Sequence, residues 1–102
     1  MKSNELQSLW KRRDRLNIMA EIMEAAKGGE LKTRIMYMVN LSFSQVNEYL
    51  SFLANKGFLK VITQKGKKVY ETTTKGILYI ENYKQMADRL NIQEVAETQI
   101  TT

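Results

Sequence analysis

The sequence predicts a mainly helical domain that carries one small β-hairpin, in the order α-α-α-β-β-α, with the last helix forming the C-terminal part of the chain. Three observations predict it. Apolar side chains recur at helical spacing over residues 14–56, broken only by Gly28-Gly29 and a short polar turn. The period then drops to two on either side of Lys65-Gly66-Lys67. Helical spacing returns after Thr73-Thr74.

Taken in order, the first helix runs from Asp14 to Lys27. Asp14, Asn17, Glu21 and Glu24 make a polar stripe, and Leu16, Ile18, Met19, Ile22, Met23 and Ala26 cover the other side. Gly28-Gly29 ends it, because glycine takes the left-handed turn common at helix C-termini. A second helix spans about Lys32 to Val39, and Asn40-Leu41-Ser42 is a tight turn. Ser42, with Gln45 three residues on, has the spacing of a capping box for a third helix ending near Lys56. Val46, Leu50 and Leu53 form its inner face, flanked by Phe43 and Tyr49, while Ser44, Asn47, Glu48, Ser51 and Asn55 point outward. Residues 58–64 and 68–72 are the strands of the hairpin, with Gly66 supplying the positive φ of its loop. Thr73 or Thr74 caps a last helix expected to reach about Leu90. Two helices about a tight turn, followed by a basic hairpin, form the winged helix-turn-helix arrangement. The expected division is a basic arm or helix extension over residues 1–12, the winged domain over 13–76, a dimerisation helix over 77–91, and a tail over 92–102 that is either frayed helix or disordered.

A chain of 102 residues with 43% hydrophobic content builds one domain around a modest core. No run approaches the ~18 apolar residues of a membrane span, and residues 1–5 lack the apolar stretch of a signal peptide. Cysteine and histidine are both absent. Disulfides, thiolate metal sites and thiol catalysis are thereby excluded, and the commonest general base is missing. No cofactor, metal, membrane contact or enzymatic activity is expected, and the expected location is cytoplasmic, at the nucleoid. Charge points to a partner. Residues 1–76 hold 14 basic and 7 acidic side chains, a net +7, whereas residues 77–102 hold 2 and 4, a net −2. A basic body suits a polyanion.

Four groups of residues are candidate contacts. On the third helix, Ser42, Ser44, Gln45, Asn47 and Ser51 are short polar side chains of the kind that read base edges in a major groove; the plainer reading is a solvated helix face. Lys32-Thr33-Arg34 opens the second helix, where amides and cations together suit a phosphate; an ordinary helix start is the alternative. Lys65, Lys67 and Lys68 place three cations on the hairpin tip with no acid between Val61 and Tyr70. Arg12, Arg13 and Arg15, beside Lys11, form the densest basic cluster, either wrapping a nucleic-acid backbone or pairing with Asp14 and Glu5. On the last helix, Ile77, Ile80 and Ala87 lie on one line, and Tyr79, Tyr83, Met86 and Leu90 form a heptad-like second line. The second line is read as a homodimer seam; burial of both lines within the domain is the alternative.

These segments also resemble a known family. Arg13-Asp14-Arg15-Leu16-Asn17-Ile18-Met19-Ala20-Glu21-Ile22 with Ala26-Lys27-Gly28-Gly29, Lys32-Thr33-Arg34-Ile35-Met36-Tyr37, Asn40-Leu41-Ser42-Phe43 with Tyr49-Leu50 and Leu53, Lys56-Gly57-Phe58-Leu59, and Tyr70-Glu71-Thr72-Thr73-Thr74-Lys75-Gly76 together resemble small archaeal winged helix-turn-helix DNA-binding proteins. The match covers about residues 13–80. Some members of that family are abundant DNA-binding proteins that dimerise through a long C-terminal coiled coil, and others are predicted transcription regulators. The resemblance implies double-stranded DNA as ligand, a homodimer, a recognition helix at residues 42–56 and a wing at 61–70. It implies a transcription regulator or nucleoid-associated protein. The chain departs from the pattern after Leu90, where Gln93 and Glu94 replace the next apolar step, so a short terminal helix is expected. Two alternatives belong to other classes: a winged-helix module docking on transcription machinery, and an RNA-binding module.

Overall fold

A computed structural model describes the backbone of residues 15–101 and the side chains of residues 15–89. Helix α1 occupies residues 15–25 of that span. It is followed by β1 (Glu30–Leu31), α2 (Lys32–Val39), α3 (Phe43–Asn55), β2 (Leu59–Gln64), β3 (Lys67–Thr72) and α4 (Thr74–Thr101). The expected winged arrangement is present.

The α2–α3 turn is built from two local devices. Asn40 adopts the left-handed conformation at φ 59°, and the Leu41 amide donates to the Met36 carbonyl at 2.9 Å, closing α2. The capping box at Ser42 then opens α3. The Gln45 amide donates to Ser42 Oγ at 3.1 Å, and the Ser42 amide donates to Gln45 Oε1 at 3.0 Å.

The strands form an antiparallel sheet in the order β1-β3-β2. Its hairpin register runs from Leu59↔Thr72 to Gln64↔Lys67. Only Lys65 and Gly66 are left in the loop, at φ 51° and 76°, so both central residues are left-handed as a type I′ turn requires. The β1 strand was not expected. It has two residues, paired Glu30↔Tyr70 and Leu31↔Val69, and is too short to show alternation.

The core gathers Ile22 and Met23 of α1, Ala26 just after it, Ile35 of α2, Val46, Leu50 and Leu53 of α3, Leu59 of β2 and Ile80 of α4. Thr72 and Thr73 tie its edges together. The Thr72 amide donates to the Ala26 carbonyl at 3.0 Å, and the buried Thr72 hydroxyl donates to the Met23 carbonyl. The Ala26 carbonyl also accepts from the Gly29 amide at 3.0 Å, whereas the Met23 carbonyl, which the end of α1 would otherwise leave open, is satisfied by the Thr72 hydroxyl. Thr73 Oγ1 donates to the Gly57 carbonyl and accepts from the Gly76 amide at 3.2 Å, which caps α4. A β-carbon at Gly76 would come within 2.5 Å of the Phe58 carbonyl oxygen, so a larger residue here forces the helix off the sheet.

Two expectations are corrected. Phe43 does not flank the inner face of α3; its side chain is 59% exposed, while Tyr49 is half-buried. The last helix does not end near Leu90 but continues to Thr101. Neither glycine nor proline follows Gly76, so no residue forces a stop. A 28-residue helix is about 42 Å long.

Candidate nucleic-acid interface

Basic side chains from distant parts of the sequence meet where β3 passes the start of α2. Pairing of Leu31 with Val69 sets the first residues of α2 beside Lys67 and Lys68. Leu31, Lys32, Thr33, Lys67, Lys68 and Tyr70 line a cleft of about 390 Å³ there. Leu31 gives α2 no side-chain cap, so the amides of its first turn have no side-chain acceptor, and the positive end of the helix adds to the lysines. Among the described residues, no carboxylate lies within 4.0 Å of Lys32, Lys65, Lys67 or Lys68. Lys65, Lys67 and Lys68 are exposed along the hairpin. Arg34 differs: its Nε lies 3.3 Å from Glu30 Oε1, which partly neutralises it.

The cleft is fastened to α3. Lys32 Nζ donates to Asn47 Oδ1 at 2.9 Å and stands 4.9 Å from the centroid of the Phe43 ring. Helical geometry sorts the other α3 candidates. Ser44, Glu48 and Ser51 form an exposed outer ridge. Gln45 lies on the flank away from Lys32, with its oxygen engaged in the cap, and lines a second groove of about 520 Å³ with Arg15, Met19, Glu48, Tyr49 and Phe52. Arg15 thus stands on the α1 side of α3 and Lys32 on the α2 side. The Ser42 hydroxyl is also occupied by the cap. Arg12, Arg13 and the arm of residues 1–12 lie outside the described residues.

Of the expected seam residues, two have partners inside the chain. Tyr79 packs edge-on against Phe58 with ring centroids 5.5 Å apart and stacks on Tyr83 at 6.5 Å. Tyr83 donates from its hydroxyl to Asn17 Oδ1 at 3.2 Å, and Lys84 reaches Glu24 at 3.3 Å. The first turns of α4 are therefore docked along α1. Met86 remains 56% exposed, as does Leu78 at 55%, a residue outside the expected seam. The Leu90 side chain lies outside the described residues. The sequence reading also missed Phe43 and Tyr70 as neighbours of the cleft.

A family model described as winged helix-turn-helix matches residues 12–91. The chain belongs to the winged helix-turn-helix family. In that frame α3 is the second helix of the helix-turn-helix and the β2–β3 hairpin is the wing. Two uncharacterized proteins of the archaeon Methanocaldococcus jannaschii are similar in sequence. One is 37% identical over 68 residues, covering 60% of this chain and 70% of that protein. The other is 36% identical over 76 residues, covering 74% of this chain and 34% of that protein, so the chain spans about a third of its length. Among solved structures, the winged helix is similar to Sso10a-2, a DNA-binding protein from Sulfolobus solfataricus, with a TM-score of 0.74 at 23% identity over 84% of this chain and 90% of that one. It is also similar to MepR from Staphylococcus aureus in its DNA complex, with a TM-score of 0.66 at 18% identity over 99% of this chain and 90% of that one. At these identities the likeness is one of fold. Among the described residues, no helix is long and apolar enough to cross a membrane.

Proposed function

We propose that this winged helix binds double-stranded DNA, as a transcription regulator or nucleoid-associated protein, and does so as a homodimer. The carrying observation is the cleft in which Lys32 and Thr33 of α2 meet Lys67 and Lys68 of the wing, beside the polar ridge of α3. A surface of this kind divides the labour of DNA recognition. Cations and helix-start amides grip phosphates and set register, and short polar side chains on the helix between them meet base edges. Lys32 and Arg15 stand on opposite flanks of α3, where each can reach one of the two backbones bordering a major groove. Sso10a-2 is a DNA-binding protein and MepR has been solved on DNA, which supports the reading. The homodimer is assigned to the part of α4 that carries exposed Met86.

The wing can be tested by charge removal. Replacing Lys65, Lys67 and Lys68 together by Ala is expected to weaken duplex binding on all sequences alike. It is also expected to flatten the plot of log affinity against log salt by up to about 0.9 per lost phosphate contact. An unchanged slope removes the wing from the interface.

A further inference from the structure

The proposed interface accounts for lysines and for short polar side chains, but not for an exposed aromatic ring among them. Phe43 is the first residue of α3. Its side chain is 59% exposed, and its ring is held from one side by the Lys32 ammonium, 4.9 Å from the centroid. The same nitrogen donates to Asn47 Oδ1 at 2.9 Å. Phe43 and Asn47 are four residues apart, so ring and carboxamide are neighbours on one flank of the helix. Lys32 also lines the cleft shared with the wing, so this trio lies where the proposed phosphate grip meets the recognition helix.

The hydrogen-bonding capacity of the trio is one-sided. An ammonium only donates, so it must face the oxygen of the Asn47 carboxamide, which leaves the two Nδ2 protons for a ligand. Lys32 contributes further donors. The patch therefore offers donors beside an apolar ring. In the major groove, cytosine presents a donor, adenine an acceptor with a donor, guanine two acceptors, and thymine an acceptor at O4 beside its C5 methyl group. Donors alone accept thymine or guanine. The ring decides between them, because only thymine sets an apolar group next to its acceptor.

We propose that Phe43 and Asn47, braced by Lys32, form a thymine-reading site, with the ring against the C5 methyl and Asn47 Nδ2 donating to O4. This deepens the DNA-binding reading and rests on it. The test is binding to two duplexes of about 30 base pairs, alternating dA–dT and alternating dA–dU, which differ in the methyl group; burying one methyl is worth about fourfold in affinity. The wild-type protein is expected to prefer the thymine duplex by about that factor or more. Phe43→Ala is expected to bind both duplexes equally, with the salt slope of the wild type. Equal wild-type binding to both duplexes overturns the thymine site and leaves DNA binding intact. A preference that survives unchanged in Phe43→Ala also overturns it, by tracing the preference to duplex shape. Absence of binding to either duplex at low salt overturns the DNA reading and this site with it.

Discussion

Tyr79 has a buried hydroxyl with no hydrogen-bond partner among the described residues, at the point where α4 leaves the core. Burial, followed by the neighbouring Tyr83, pushes its pKa above the ordinary value of 10.0. The neutral form is thus favoured in the folded state. That contribution to stability is fully present below the unfolded value, near pH 10, and is lost as pH climbs through the raised folded value. Replacing Tyr79 by Phe keeps the ring contact with Phe58 and removes the unpartnered group. A buried polar group without a partner costs about 1–3 kcal/mol, so Tyr79→Phe is expected to be at least as stable as the wild type at pH 7, with a gain of about 1 kcal/mol. Its stability should also vary less above pH 10. Urea unfolding at the two pH values checks this, and a clear loss at pH 7 would mean that the hydroxyl is bonded. The Ser42–Gln45 cap was readable from sequence, since both its bonds close within four residues. The exposure of Phe43 was not. It sits at the edge of the helix's apolar arc, and its fate depends on Lys32, which lies 11 positions away and is brought near only by the fold.

At the scale of elements, α4 has two parts with different environments. Its first turns are fixed by Ile80 in the core, by the Tyr79–Phe58 contact and by Tyr83 and Lys84 on α1. Beyond them Met86 is exposed, and the helix goes on to Thr101. If that part pairs with a second copy, Met86→Glu places a charge in the seam, where it loses solvation without gaining a partner. The wild-type chain is expected to sediment as a dimer at micromolar concentrations and Met86→Glu to shift toward monomer. A wild-type monomer across that range, or a variant dimer as strong as the wild type, contradicts the assignment. The order of helices and strands was legible because amphipathic period and turn chemistry are local. What stayed hidden depended on tertiary contact. Two apolar lines on one helix do not say which docks, and Tyr79 and Tyr83 of the expected seam are held by α1 and Phe58. Strand β1 exists only because β3 passes beside Glu30 and Leu31.

At the scale of the molecule, sheet pairing concentrates positive charge. The excess of seven cations over residues 1–76 is spread along the sequence, yet the β1–β3 ladder brings the start of α2 beside the wing lysines. One face then carries Lys32, Lys67 and Lys68, with Lys32 bonded to Asn47 of α3. Such a surface binds a polyanion by releasing its counterions, so affinity falls steeply with salt. A major-groove reader also prefers B-form duplex to RNA, because a single strand has no groove and an A-form RNA helix has a major groove too deep and narrow to read. Fluorescence anisotropy on a random duplex of about 30 base pairs, and on single-stranded RNA of equal length, at low and physiological salt decides whether duplex DNA is the ligand. Strong, steeply salt-dependent binding to the duplex and weaker binding to the RNA are expected. No duplex binding at low salt, or a preference for the RNA, would contradict the DNA-binding reading.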